Sequence, residues 1–304
     1  MHSHHVNGAR FFWVTFLNIM ITIAEILGGI FSGSLALLSD AFHNLGDSAS
    51  IMMGYFAQLI GSRPETERRT YGYRRAEILS AFLNSLFLVV VSVFLIVEAV
   101  KRFNHPQPID GPLMLIVAII GFLANLISAL LLQQGSHDSL NIKATYLHIL
   151  SDALSSIGVI IGALAITFWH IFWLDPLLTI LVAIYICYEV WPVIHQTLSI
   201  LMQSSPEIDY DQLKADIVAI DGVIGVHHMH AWMIDEHRII FSTHINLRDM
   251  PLSSVEPIYQ SIETLLNTKY HICHVTIQAE VQRGLEEPLF NTPVDKTTTS
   301  EDPQ

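Results

Sequence analysis

The sequence predicts an α-helical membrane protein in which six transmembrane helices are followed by a small cytoplasmic α+β domain. Three observations predict this fold class. First, 51% of the 304 residues are hydrophobic and only 14% are charged, whereas soluble domains carry about 25% charged residues. Second, six long apolar segments lie within residues 11–204. Third, charged residues return after residue 205, where patterns of short helices and strands replace the long apolar segments.

Each of the six apolar segments is long enough to cross about 30 Å of hydrocarbon as a helix. The segments lie near residues 11–31, 35–60, 78–100, 112–132, 143–168 and 172–200. The first is too long for the apolar part of a signal peptide and lacks a small-x-small cleavage site, so we expect it to be the first spanning helix. The second and fifth are more polar than the others, and we expect their polar residues to face the bundle interior.

Lys and Arg residues in the short connections predict the orientation in the membrane. The connection between the second and third segments holds five arginines, Arg63, Arg68, Arg69, Arg74 and Arg75. The next connection holds Lys101 and Arg102, and the one after it holds Lys143. Because positively charged loops stay on the cytoplasmic side, we expect both termini in the cytoplasm. A short chain without further targeting features suits a bacterial inner membrane, with the lipid bilayer as its surroundings.

The chain after Pro206 predicts the element order αββαβ. Helical patterns cover residues 209–220 and 252–267, and strand patterns cover 226–234, 238–247 and 271–281. This order predicts a ferredoxin-like α+β module, an open sheet with its helices on one side. We therefore expect an N-terminal segment (1–10), a transmembrane domain (11–204), a cytoplasmic domain (205–282) and a disordered tail (283–304) rich in Pro, Thr, Ser and acidic residues.

Two His-x-x-x-Asp pairs occur in the second and fifth apolar segments, which are the more polar ones: His43 with Asp47, and His148 with Asp152. At a spacing of four residues, the imidazole and the carboxylate share one helix face. A carboxylate inside a bilayer is costly, so the same costly pair occurring twice favours a metal site over two local structural hydrogen bonds. Two imidazoles and two carboxylates suit Zn²⁺. Cd²⁺, Co²⁺, Ni²⁺, Mn²⁺ and Fe²⁺ remain alternatives, since affinity order alone does not select the metal.

The same residues predict coupling to protons. Ligands must be deprotonated to bind metal, so protonation expels it. Because imidazole titrates near neutral pH, we expect His43 and His148 to carry protons in one direction while metal leaves in the other. Asp40, before the first pair, is either an accessory on the path of the metal or a packing residue.

Several stretches resemble the cation diffusion facilitator family. Residues 33–47 (GSLALLSDAFHNLGD) resemble its second-helix signature, and residues 144–152 (ATYLHILSD) resemble its fifth. Further matches are YGYRRAE at 71–77, Asp175-Pro176 and VHHMHAW at 226–232. The resemblance, which covers roughly residues 10–281, implies a homodimeric, proton-coupled exporter of divalent metal with a metallochaperone-like cytoplasmic domain. The His/Asp quartet is similar to that of the zinc and cadmium branch.

The resemblance also implies a cytoplasmic metal site formed by His227, His244 and Glu280, where bound Zn²⁺ would act as a regulatory ligand and favour closure of the dimer. Alternation along the last strand supports it in part, because Glu280 shares a face with His274. The remaining ligands are open among His228, His230, Cys273 and His274. A histidine-rich sheet without metal is the alternative.

Other functions fit the sequence less well. The net charge of −13 and the lack of a basic stripe argue against nucleic acid as a partner. An intramembrane metallohydrolase would need a His-Glu-x-x-His motif and an open coordination position, so an enzyme is not expected. A membrane metal sensor would not need ligands at bilayer depth.

Some relatives carry metal-binding histidines in the connection between the second and third helices, or a long His-rich connection between the fourth and fifth. Here residues 61–70 lack histidine, and residues 133–141 hold only His137. His2, His4 and His5 are either metal-gathering residues or part of a plain flexible terminus.

Overall fold

A computed structural model of the chain describes residues 3–133 and 140–290, with side chains described for residues 14–133 and 146–290. The helices in these ranges are α1 (Ser3–Ser32), α2 (Leu35–Gly61), α3 (Ala76–Asn104), α4 (Gly111–Gln133), α5 (Leu140–Trp169), α6 (Leu174–Leu201), α7 (Tyr210–Val218) and α8 (Leu252–Tyr270). The strands are β1 (Val223–Asp235), β2 (Arg238–Leu247) and β3 (Ile272–Glu280). His2, His137 and residues 291–304 lie outside the described residues, as do the side chains of His4 and His5.

The chain divides into two compact units. The first contains residues 1–65 and 79–197, and the second contains residues 66–78 together with everything from residue 198 onward. The arginine-rich segment between α2 and α3 therefore groups with the C-terminal residues. Within this second unit, the ring of Tyr71 makes an edge contact with the ring of His274, at 6.2 Å between centroids.

Five helices in the described part of the chain are long and apolar enough to cross a membrane. These spans are Val14–Ser32, Ala76–Asn104, Gly111–Gln133, Tyr146–Trp169 and Leu174–Leu201. Five of the six predicted spans are thus confirmed as candidates by length and composition. The helix α2 has 27 residues and is about 40 Å long at 1.5 Å per residue, but its polar residues keep it below the hydropathy of the other five.

The start of α2 has clear local causes. Gly33 adopts a left-handed conformation with φ of 74°, which glycine tolerates without strain, so the chain reverses between α1 and α2. Ser34 then caps α2, because its side chain accepts a hydrogen bond from the Leu37 amide at 3.2 Å. An apolar core fixes this end of the helix. It consists of Ala36 and Leu37 from α2, Met114, Val117 and Ala118 from α4, Val159, Ala163 and Ile166 from α5, and Ile109.

The small domain has the predicted element order αββαβ and a three-stranded sheet in the order β1-β2-β3. Strands β1 and β2 form an antiparallel hairpin, whereas β2 and β3 are parallel, as a helical crossover through α8 allows. The helices α7 and α8 pack on one face of the sheet. Their core includes Leu213, Ile217, Met229, Phe241, Ile245, Ile262 and Leu266.

The segment immediately after β3 lies against the small domain. Asn246 donates a side-chain hydrogen bond to the carbonyl of Arg283 at 2.7 Å. The amide of Met229 donates to the carbonyl of Leu289 at 2.8 Å. The first residues of the predicted tail, up to residue 290, therefore contact the sheet domain although they form no helix or strand.

Candidate metal centre

Four polar side chains from two helices meet in the first unit. His43 and Asp47 project from one face of α2, and His148 and Asp152 project from one face of α5, because each pair is spaced by four residues. His148 approaches Asp47 while His43 approaches Asp152. This crossed pairing shows that α2 and α5 run antiparallel at the site. The structure thus brings together all four residues of the predicted quartet.

Each imidazole of the quartet faces both carboxylates through its Nε2 atom. His148 Nε2 lies 3.1 Å from Asp47 Oδ2 and 3.8 Å from Asp152 Oδ2. His43 Nε2 lies 3.7 Å from Asp152 Oδ1 and 3.8 Å from Asp47 Oδ2. The two ring centroids are 5.9 Å apart. Single ligand atoms of His43, Asp47 and His148 all lie within 4.8 Å of one another, whereas Asp152 turns a different oxygen to each histidine.

These distances match the size of a tetrahedral metal shell. Bonds of about 2.1 Å from Zn²⁺ to nitrogen or oxygen separate neighbouring ligand atoms in a tetrahedron by about 3.4 Å. The four distances from imidazole nitrogen to carboxylate oxygen range from 3.1 to 3.8 Å and bracket that value. A divalent ion would also compensate the negative charge of the two carboxylates.

The four ligand candidates differ in exposure. The side chains of His43 and Asp152 are each 10% exposed, whereas Asp47 is 25% and His148 is 36% exposed. The Nδ1 atom of His43 is buried without a hydrogen-bond partner among the described residues. The ring of His43 is therefore held by packing and by its Nε2 contacts. The site is more exposed on the side of Asp47 and His148 than on the side of His43 and Asp152.

Further polar residues surround the quartet. Asp40 is buried and close enough to interact electrostatically with His43, but it lies outside the group of converging ligand atoms. Asn44 donates a hydrogen bond to the buried carboxylate of Glu25 on α1 at 2.8 Å, which joins α1 to α2 beside the site. The sequence does not predict this bond, because it does not fix the rotation of α1 against α2.

A second group of candidate ligands lies on the sheet of the small domain. His227 on β1 and His244 on β2 are cross-strand partners, and Glu280 on β3 pairs with Asn246 of β2. Glu280 Oε2 lies 3.3 Å from His227 Nε2, and Glu280 Oε1 lies 3.2 Å from His244 Nδ1. The three ligand atoms lie within 4.8 Å of one another. The structure thus brings together the three residues that the resemblance implied.

Burial and charge favour metal binding at this second group. The side chains of His227 and Glu280 are 2% and 5% exposed, and His227 Nδ1 and Glu280 Oε2 have no hydrogen-bond partner among the described residues. Burial lowers the pKa of His244, although Glu280 opposes that shift. A lowered pKa keeps the imidazole neutral, which is the state that binds metal. This donor set of two nitrogens and a carboxylate fits Zn²⁺.

The accessory residues left open by the sequence separate into two groups. His228 lies in an irregularity of β1 with φ of 51°, and its ring centroid is 4.6 Å from that of His244. His230, Cys273 and His274 are exposed and lie outside the group of converging atoms. His228 thus contacts a member of the site through its ring, although it too lies outside the group of converging ligand atoms.

Gly284 covers the second group, a feature that sequence reasoning missed. Its φ is 70°, and a Cβ atom built on it would lie 2.1 Å from His227 Nε2. Only glycine therefore fits at this position, where the backbone passes directly over the histidine ring. The signal in the sequence was a single glycine in a segment that otherwise has the composition of a disordered tail.

Comparison with known proteins identifies relatives of both units. The model of the cation efflux transmembrane domain matches residues 11–202, and the model of the cation efflux protein cytoplasmic domain matches residues 205–282. The zinc transporter ZitB of Escherichia coli is 36% identical over 279 residues, which are 91% of this chain and 88% of the relative. The metal cation efflux system protein CzcD of Cupriavidus metallidurans is 35% identical, covering 85% and 82% of the two chains. A cadmium, cobalt and zinc/H(+)-K(+) antiporter of Bacillus subtilis is 37% identical, covering 93% of each.

Proposed function

The chain belongs to the cation efflux family, known also as the cation diffusion facilitators, and on that premise we propose that it exports Zn²⁺ from the cytoplasm in exchange for protons. The names of its relatives support this metal and this mode of transport, since they include a zinc transporter and an antiporter of cadmium, cobalt and zinc against protons and potassium. Cd²⁺ is the second candidate cargo, and Co²⁺, Ni²⁺, Mn²⁺ and Fe²⁺ follow. Transport by this family points away from an enzyme.

The observation that carries the proposal is the size and composition of the quartet. His43, Asp47, His148 and Asp152 offer two nitrogen and two oxygen ligands at separations that suit one tetrahedral ion. Two carboxylates and two neutral imidazoles would bind a divalent ion with no net charge, so the loaded site is tolerable inside a membrane.

We propose that α2 is the sixth span, despite its polar residues. Its polar side chains in the first half are buried inside the unit, namely Ser39, Asp40, His43 and Asn44. Most of the exposed side chains of its second half are apolar or aromatic, among them Ile51, Met52, Tyr55, Phe56 and Leu59, although Ser50 and Gln58 are exposed as well. A helix that buries its most polar residues and exposes mainly apolar ones can span a membrane.

The proposed orientation places the C-terminal domain in the cytoplasm. The arginine-rich segment 66–78 belongs to the same compact unit as that domain. The contact between Tyr71 and His274 supports a common side for the two. Because positively charged connections stay in the cytoplasm, we place both there, with the N-terminus, in a bacterial inner membrane.

Proton exchange follows from the same ligands. When the ion leaves, two carboxylates remain close together and the histidines become free to bind protons. We propose that protons taken up from the outside by His43 and His148 prevent the ion from rebinding, and that their release to the cytoplasm restores the binding state. Bound Zn²⁺ at His227, His244 and Glu280 is proposed to regulate a homodimer through the cytoplasmic domain.

The test is zinc flux into proteoliposomes that contain a zinc-sensitive dye, with and without an imposed pH difference. We expect pH-driven zinc uptake by the parent protein and its loss in Asp47→Asn and Asp152→Asn, which keep the side-chain shape but remove the charge. Asp110→Asn is the matched control, because Asp110 is an exposed carboxylate at the start of α4. Runs with Cd²⁺ and Mn²⁺ rank the cargo. Zinc flux that ignores the pH difference, or that survives both substitutions, would contradict the proposal.

A further inference from the structure

The quartet is open at one end and closed at the other. Its more exposed members, Asp47 and His148, lie toward the end where α2 finishes and α5 begins. Its buried members, His43 and Asp152, lie toward the opposite end, where α2 begins and α5 finishes. The quartet is therefore more exposed toward the end where α2 finishes than toward the end where α2 begins.

Asp175 lies at that opposite end. It is the second residue of α6, it is completely buried, and its carboxylate binds the first turn of α2. Asp175 Oδ1 accepts hydrogen bonds from Ser34 Oγ at 2.5 Å and from the Ala36 amide at 3.1 Å. Asp175 Oδ2 accepts from the Leu35 amide at 2.9 Å. A carboxylate at a helix N-terminus satisfies unpaired amides and complements the helix dipole, so this contact is strong.

The same turn is held from a second helix. Arg102, near the end of α3, donates a hydrogen bond to the carbonyl of Gly33, and its Nε lies 3.7 Å from Glu98. Arg102 and Asp175 together fix the chain reversal between α1 and α2. Beneath them, Ala36 and Leu37 of α2 pack against Val159, Ala163 and Ile166 of α5. This apolar layer lies between Asp175 and the quartet along both helices.

We propose that Asp175 is a positioning residue for transport: its bonds to the first turn of α2 hold the external end of the bundle closed, and their release opens the path by which the metal leaves. This inference rests on the proposed function, which supplies the metal and the direction. In this role Asp175 controls the opening of the external end and does not contact the ion.

The chemistry of the contact explains why a carboxylate is required. Asp175 uses both oxygens to accept from three donors. In Asp175→Asn one oxygen becomes an amide group that donates, so at least the bond from Leu35 or the pair from Ser34 and Ala36 is lost. Loss of one hydrogen bond to a charged group shifts an equilibrium by about tenfold or more. The closed state of the external end should therefore weaken by at least that factor.

The test measures opening at the external end without using zinc. Ser39 is fully buried on α2, between this contact and His43, and Ser39→Cys places a thiol there. The background carries Cys187→Ser and Cys273→Ser, since both cysteines are free. Intact cells receive a membrane-impermeant maleimide, and the labelling rate is measured. We expect Asp175→Asn to raise that rate about tenfold, Ser34→Ala to raise it less, and Asp110→Asn to leave it unchanged.

Each result is decisive. Unchanged labelling in both Asp175→Asn and Ser34→Ala overturns the proposal, as does an equal rise in Asp110→Asn. If Asp175→Asn does not fold, Ser34→Ala alone decides. A purely structural role would lower the melting temperature and weaken zinc binding, whereas we expect the zinc KM to be unchanged and flux without a pH difference to increase. Because labelling needs no zinc, a rise in labelling in a protein that moves no metal would refute the proposed function alone.

Discussion

The number of histidines in the proposed transport site predicts how steeply zinc affinity depends on pH. Both imidazoles face both carboxylates at 3.1–3.8 Å, so an ion bound by the quartet would contact both imidazoles and would displace a proton from each. At pH values where both histidines of the empty site are protonated, zinc affinity should fall about 100-fold for each unit by which the pH is lowered. This factor corresponds to about 2.7 kcal/mol of binding free energy. His148→Gln leaves one histidine, and the slope should fall to about tenfold, or about 1.4 kcal/mol.

The assay is competition between the detergent-solubilised protein and a fluorescent zinc chelator over the acidic half of the pH range. The background carries His227→Ala and His244→Ala to remove the cytoplasmic site, and Asp110→Asn in that background serves as the control. A slope of one proton in the parent protein would refute the reasoning. So would a slope that His148→Gln leaves unchanged.

Three further predictions concern the cytoplasmic domain. Glu280→Gln removes the charge shared by two histidines, so equilibrium dialysis should show one fewer zinc ion per chain while pH-driven flux persists; an unchanged zinc content would count against this site. Gly284→Ala places a Cβ atom against His227 and should weaken zinc binding in the same measurement without abolishing folding; wild-type affinity would show that the backbone over His227 is free to move. Hydrogen bonds from Lys269 and Tyr270 lower the pKa of Asp216 to about 2, so its stabilising effect is complete above about pH 4 and disappears as the pH falls through about 2. Melting temperatures should decline over that interval, and Asp216→Asn should flatten the decline; an identical decline in the variant would exclude Asp216 as its source.

The candidate transport site could be predicted from the sequence because the spacing within each His/Asp pair is a local feature of the chain. The spacing within His43/Asp47 and within His148/Asp152 places each pair on one helix face wherever the helices pack. The crossed pairing of His148 with Asp47 was not accessible, since it depends on the relative depth of α2 and α5. The role of Asp175 was hidden for the same reason, because its three donors lie about 140 positions earlier in the chain.

In the membrane unit, hydropathy identifies the helices that face lipid on most sides, and it is a poor predictor for α2. Its buried polar residues face the interior and lower its hydropathy below that of the other five long helices. In the small domain, the sequence patterns predicted two helices and three strands in the order that the structure has. The irregularity at His228 and the contact of Gly284 with His227 depend on strand register and on long-range packing, which periodicity does not encode.

X-ray absorption at the zinc edge can show whether His43, Asp47, His148 and Asp152 bind one divalent ion. The protein carries His227→Ala and His244→Ala, which remove the other group of converging ligands that the described residues contain. We expect four nitrogen or oxygen ligands at about 2.0–2.2 Å, with the scattering of two imidazole rings, and one imidazole fewer in His148→Gln. A shell without imidazole, or an unchanged shell in His148→Gln, would contradict the assignment.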